Sequence, residues 1–106
     1  MDKKQATIDS LQTVASDFLT QSGRAVEGAK ENLQRWIQDV EPMAERLLDR
    51  AATGDEGALD SLGFLEDDLA GTVRTAFQDF TDGERLAMTS IAKAVLRTAV
   101  AVAVAA

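Results

Sequence analysis

The 106-residue chain has no cysteine, no histidine and no tyrosine. Without cysteine there is no disulfide framework, no thiol nucleophile and no thiolate-held zinc or iron–sulfur site. Without histidine there is no imidazole base, no Ser-His pair, no Glu-x-x-His di-iron motif and no switch near neutral pH. Proline occurs once, at Pro42, and aromatic residues make up only 5%. Long apolar runs are missing too. The longest, Ala99 to Ala106, is far short of the roughly 20 residues that cross a bilayer. Extending it back to Leu86 brings in Lys93 and Arg97, each costly at membrane depth. No transmembrane span is therefore expected. The N-terminus, Met1-Asp2-Lys3-Lys4-Gln5, lacks the apolar stretch of a secretory signal, so a cytoplasmic location is expected.

What is present is helix-forming sequence of single-domain length. A seam of apolar or small residues, Ile8, Leu11, Ala15, Phe18, Ser22, Ala25 and Ala29, advances in steps of three and four. It continues, after a phase shift, through Leu33, Trp36 and Val40. Because the seam persists across Gly23 and Gly28, the pattern predicts one helix over 4–40. Pro42 is expected to end it, since a proline pushes the preceding residue out of the helical region. A second helix is expected over 42–53, closed by Gly54 as a C-terminal cap. The stretch 54–63 reads as a loop with one short helical turn. A third helix over 64–80 would turn Leu65, Leu69, Val73, Ala76, Phe77 and Phe80 inward. Thr81 and Glu84 have the spacing of a capping box, opening a last helix over 82–103. The expected fold is all-α: a small antiparallel bundle of about four helices, with a long N-terminal helix, in one domain spanning 1–106.

Charge is unevenly spread. The net charge is −7, yet residues 41–83 hold eleven acidic and three basic side chains, whereas 84–106 hold three basic and one acidic. Asp55, Glu56, Asp60, Glu66, Asp67 and Asp68 form a candidate acidic patch, and the plainer account of it is solubility plus favourable charge at a helix N-terminus. The last helix carries one polar stripe, Arg85, Thr89, Lys93 and Arg97, on an otherwise apolar cylinder. Such a helix is either central to its own bundle or covered by something else. Ile91, Val95, Val100 and Val102 are its candidate contact residues. Trp36 and the phenylalanines fall on apolar faces and read as core, with Trp36 only partly buried near a helix end.

No phosphate-cradling glycine loop and no EF-hand spacing occurs, and no serine or threonine has an evident general base. Catalysis, cofactors and metals are therefore not expected. An acid-rich chain is not expected to bind nucleic acid directly. The leading expectation is a non-enzymatic helical interaction module that self-associates as a homo-oligomer or docks as an adaptor or accessory subunit on a larger protein assembly. A first helix of about 36 residues would be roughly 54 Å long, longer than its neighbours can cover, so its seam from Ile8 to Ala29 is the first candidate interface. In its Ala-rich amphipathic helices and basic-striped apolar tail the chain also resembles the phasins, the coat proteins of polyester granules. That resemblance implies a peripheral role on a membrane or storage granule, and it rests on composition and helical style without a motif. A third expectation is an acidic inhibitor or nucleic-acid mimic acting through the acidic patch.

Overall fold

A computed structural model describes residues 3–24 and 27–105. The described residues form five helices: α1 (Lys3–Gln21), α2 (Ala29–Ala52), α3 (Gly57–Phe64), α4 (Glu66–Ala76) and α5 (Asp82–Ala105). The all-helical class holds, with five helices where about four were expected.

The expected 4–40 helix is two helices. α1 stops in a Schellman turn, where the Arg24 N–H donates to the Leu19 carbonyl at 2.7 Å and the Gly23 N–H to Thr20 at 3.2 Å. Gly23 and Gly28 stand at φ +74° and +88°, a region other residues enter only with strain. Each helix turns its own apolar face inward, Ile8, Leu11, Ala15 and Leu19 on α1 and Leu33, Trp36 and Val40 on α2. The turn makes them antiparallel, and Lys4 Nζ meets Asp49 Oδ1 at 2.6 Å. Ala25 lies outside the described residues.

The break expected at Pro42 does not occur, and α2 runs through it. Val40, Met43, Ala44, Leu47 and Leu48 are all buried, so helix on both sides of the proline is held by packing while its ring faces solvent. Burying several such side chains at about 1.5–3 kcal/mol each outweighs the roughly 3 kcal/mol that a mid-helix proline costs. α2 instead ends where a cap was expected: Gly54 sits at φ +81°, and Asp55 N–H donates to Arg50 O at 3.2 Å in a second Schellman turn.

The expected loop 54–63 contains α3, which buries Ala58 and Leu62. α4 ends at Ala76, earlier than expected, but Phe77 and Phe80 still point inward, stacked with centroids 4.8 Å apart. The capping box forms as its spacing predicts. Thr81 N–H donates to Glu84 Oε1 at 2.9 Å, and Glu84 N–H to Thr81 Oγ1 at 3.2 Å.

α5 packs against all four other helices and is the centre of the bundle. Met88, Ala92, Leu96 and Val100 are fully buried along it. Trp36, expected to be partly exposed, is fully buried. It stands in mid-helix because α2 does not stop near it. Its indole N–H donates to Thr72 Oγ1 at 3.1 Å, which satisfies the ring's one polar atom.

Candidate functional site

The residues of the first-helix seam divide. Ile8, Leu11 and Ala15 lie in the bundle's own core. Phe18 is half-buried against Phe80, with centroids 5.9 Å apart. Ser22 is exposed in the turn and Ala29 is half-buried at the start of α2. The argument for a long uncovered seam fails because the hairpin at Gly23 folds the seam onto α2 and α5. A folded chain cannot present Leu11 to a partner.

On α5 the candidate contacts also divide. Val100 is buried, Ile91 and Val95 are half-buried, and Val102 is 58% exposed. The central position of α5 covers one side of it, yet only 33% of its most apolar stretch is buried. The uncovered side has a regular composition. Ala87, Ile91, Ala94, Thr98, Ala101 and Ala105 advance in steps of four and three, a heptad stripe in which every second residue is alanine. All six are exposed or half-buried. Arg85 and Lys93 stand on other faces of α5, whereas the exposed Arg97, three residues from Ala94 and four from Ala101, borders the stripe. Sequence reasoning passed over this stripe because alanine reads as helix filler; the signal was its recurrence every seven residues at 87, 94 and 101.

Beside the stripe, α1 and α5 leave an open apolar groove of about 490 Å³. Ala6, Thr7 and Ser10 form one wall, Ala94, Val95, Thr98, Ala99 and Val102 the other, with Leu48 and Lys3 also contributing. The two buried hydroxyls of the described residues, Thr7 in this groove and Thr89 on the α4 side of α5, are both satisfied. Thr7 Oγ1 donates to the Lys3 carbonyl at 2.9 Å and Thr89 Oγ1 to the Arg85 carbonyl at 2.8 Å. The groove therefore offers little beyond methyl groups, a surface for apolar contact and not for chemistry.

The acidic patch resolves into spent and unspent members. Asp55 accepts from Arg50 Nε at 3.0 Å and from Gly57 N–H at 2.9 Å, and these two bonds hold its carboxyl below the usual range. Glu66 accepts from Lys93 Nζ at 2.8 Å, which lowers its carboxyl likewise. This contact joins the acidic start of α4 to the basic stripe of α5. Glu56, Asp60, Asp67 and Asp68 are exposed. Phe64, expected in the core, is 86% exposed at the end of α3. The reason is the bend at Leu65, where φ −91° and ψ −1° separate α3 from α4 and turn Leu65 inward in place of Phe64.

One ion pair organises the end of the bundle. Arg24 donates from Nε and Nη2 to the two carboxylate oxygens of Glu84 at 3.0 and 2.8 Å. The guanidinium also lies 5.8 Å from the Phe80 ring centroid. This fork ties the α1–α2 turn to the first turn of α5, and with the Thr81 N–H it brings the Glu84 carboxyl down to about 2. Among the described residues, no group of three acidic side chains is placed to hold a metal ion.

Searches with this chain against protein-family models, curated proteins and solved structures find no match.

Proposed function

We propose that this chain is a non-enzymatic helical interaction module that pairs with a second copy of itself through the outward face of α5. The observation that carries this reading is the charge-free stripe from Ala87 to Ala105 beside the α1/α5 groove. Two chains that each carry −7 repel one another over most of their surfaces. A stripe that itself carries no charge, bordered by the basic Arg97 and Lys3 in an otherwise acidic chain, is where that repulsion is least. An isologous contact also demands that one patch fit itself, and a stripe of alanines does so with few steric conditions. Small side chains let two helices approach to the short end of the usual 8–10 Å.

The size of the face sets the strength. α5 is about 36 Å long at 1.5 Å per residue and about 10 Å wide. Two such strips together cover about 700–800 Å², below the range of stable complexes. Groove residues of α1 add to this, so the pairing is a weak, reversible dimer. A larger assembly would engage the same face.

Light scattering behind size-exclusion chromatography tests the reading. The mass is expected to rise with concentration from the 11.3 kDa chain toward twice that value. Ala94→Glu with Ala101→Glu, both at exposed positions, is expected to keep the chain monomeric without loss of helix. A wild-type mass that stays at one chain up to the highest soluble concentration refutes it.

A second reading rests on the same stripe and on α5 being long and apolar enough to cross a membrane by length and composition. The face would lie on a lipid or granule surface, as the phasin resemblance implies. Removing the last helix is not a usable test, because α5 is the centre of the core. Vesicle co-sedimentation of the intact chain against the Ala94→Glu, Ala101→Glu variant separates the readings. Binding by the wild type alone, at concentrations where it is a monomer, favours the lipid surface.

A further inference from the structure

We infer that the open groove between α1 and α5 binds a linear anionic amphiphile, a free medium-chain carboxylate whose head meets Lys3 and whose chain lies along the apolar walls. The groove holds about 490 Å³, within the usual range of small-molecule sites. It also has a direction. Arg24, just past the end of α1, joins Glu84 at the start of α5, and Lys3 shares the groove with Val102 near the end of α5. The two helices therefore run antiparallel. Lys3 stands at one end of the groove, with Ser10 and Ala94 at the other.

Lys3 is the one charged residue of the lining. It is exposed, and its ammonium has no partner among the described residues, whereas neighbouring Lys4 is engaged by Asp49. The first turn of α1 carries no carboxylate, and the positive end of its dipole favours an anion there. Between the two ends the walls offer hydrocarbon. Thr7 and Thr98 donate their hydroxyls to carbonyls of their own helices at 2.9 and 3.0 Å, so neither proton is free for a ligand. A sugar would find too few hydrogen-bonding groups, and a cation would meet Lys3. The length fits an alkyl chain. The groove follows α1 from Lys3 to Ser10 and α5 from Ala94 to Val102, about 10–12 Å at 1.5 Å per residue. An extended chain of about nine carbons, its C–C bonds of about 1.5 Å set in a zigzag, is that long. The site belongs to the single chain and does not need the pairing of two copies.

Decanoate, kept well below its micelle concentration, is the probe. It is titrated into the full chain by calorimetry and by methyl NMR, at a protein concentration where the mass is that of one chain. The expected dissociation constant is about 0.1–1 mM, as suits a ligand of about a dozen atoms. The methyl signals of Ala94, Val95 and Val102 are expected to shift. Decyltrimethylammonium, with the same chain and the opposite charge, is expected to bind at least about fivefold more weakly. Lys3→Gln is expected to weaken decanoate about two- to fivefold and to bring the two headgroups close to equal affinity. Val102→Asn, at a residue 58% exposed, is expected to weaken decanoate about three- to tenfold with far-UV circular dichroism unchanged. Leu86→Ala, exposed on another face of α5, is expected to bind as the wild type does. Absence of saturable binding overturns the inference. So do equal affinities for the two headgroups in the wild type, or shifts confined to methyls outside the groove. The mass measured in the same samples tests pairing separately, so either reading can fail without the other.

Discussion

Leu11→Ala separates a core residue from an interface residue by measurement. Leu11 has no exposed surface and sits in the central cluster with Ile8, Ala15 and Leu19. The substitution removes three carbons. At about 0.8 kcal/mol per buried carbon the transfer loss alone is about 2.4 kcal/mol. The cavity adds to it, since α1 is held by α2 on one side and α5 on the other and has little room to collapse inward. The expected loss is therefore about 3–4 kcal/mol, within the range seen for buried leucine truncations. For a domain of this size that lowers the melting temperature by roughly 12–25 °C. Urea unfolding reads the change directly, followed by far-UV circular dichroism and by emission of the buried Trp36, which shifts to the red when it meets water. The midpoint is expected to fall with the slope unchanged, and the mass in solution to match that of the wild type. A loss under about 1 kcal/mol, or a changed mass with stability kept, refutes the placement of Leu11 in the core.

Two further perturbations address the proline and the ion pair. Pro42→Ala restores a backbone donor in mid-helix and removes a ring clash, while loosening the unfolded chain. The net expectation is a gain of about 1–2 kcal/mol, seen as a higher melting temperature; a lower one refutes the account of Pro42 as a tolerated cost. Glu84 titrates near 2 in the fold against 4.5 as its ordinary value, first because Arg24 donates to it. A depressed carboxyl contributes stability that is complete above 4.5 and is lost as the pH falls through about 2. Glu84→Gln is therefore expected to be less stable at neutral pH, with a gap to wild type that closes between those values. Urea midpoints against pH check this, and two parallel curves refute it.

Gly23 and Gly54 show how much of the helix pattern was legible and where it stopped. Both end helices in the same Schellman hydrogen bonds, both at positive φ. Gly54 was readable because acidic and small residues follow it and the apolar periodicity lapses. At Gly23 the periodicity continues, and periodicity reports which face is buried without reporting whether the chain reverses. Pro42 errs in the opposite sense for the same reason. A local rule placed a break where Met43, Ala44, Leu47 and Leu48 already had a core to bury against. The compactness of the chain decides both cases. An uninterrupted helix of roughly 54 Å does not fit a body whose longest extent is 41 Å, and the reversal at Gly23 is the one that lets α1 cover α5.

The surface was legible in charge and not in shape. The contrast between an acidic middle and a basic last helix is visible along the chain, and the Glu66–Lys93 bond is where the two meet. That contact consumes part of the patch that the sequence offers as one block. The exposure of Phe64 depends on the bend at Leu65. A bend follows from how α3 and α4 both reach α5, a long-range condition that no pattern within residues 57–76 encodes. α5 obeys the same logic in reverse. Its apolar circumference demanded cover, and the bundle covers only the side of Met88, Ala92, Leu96 and Val100. The alanine stripe left outside costs little in water, because each methyl is small. A bulkier stripe of leucine at the same positions would expose far more apolar surface.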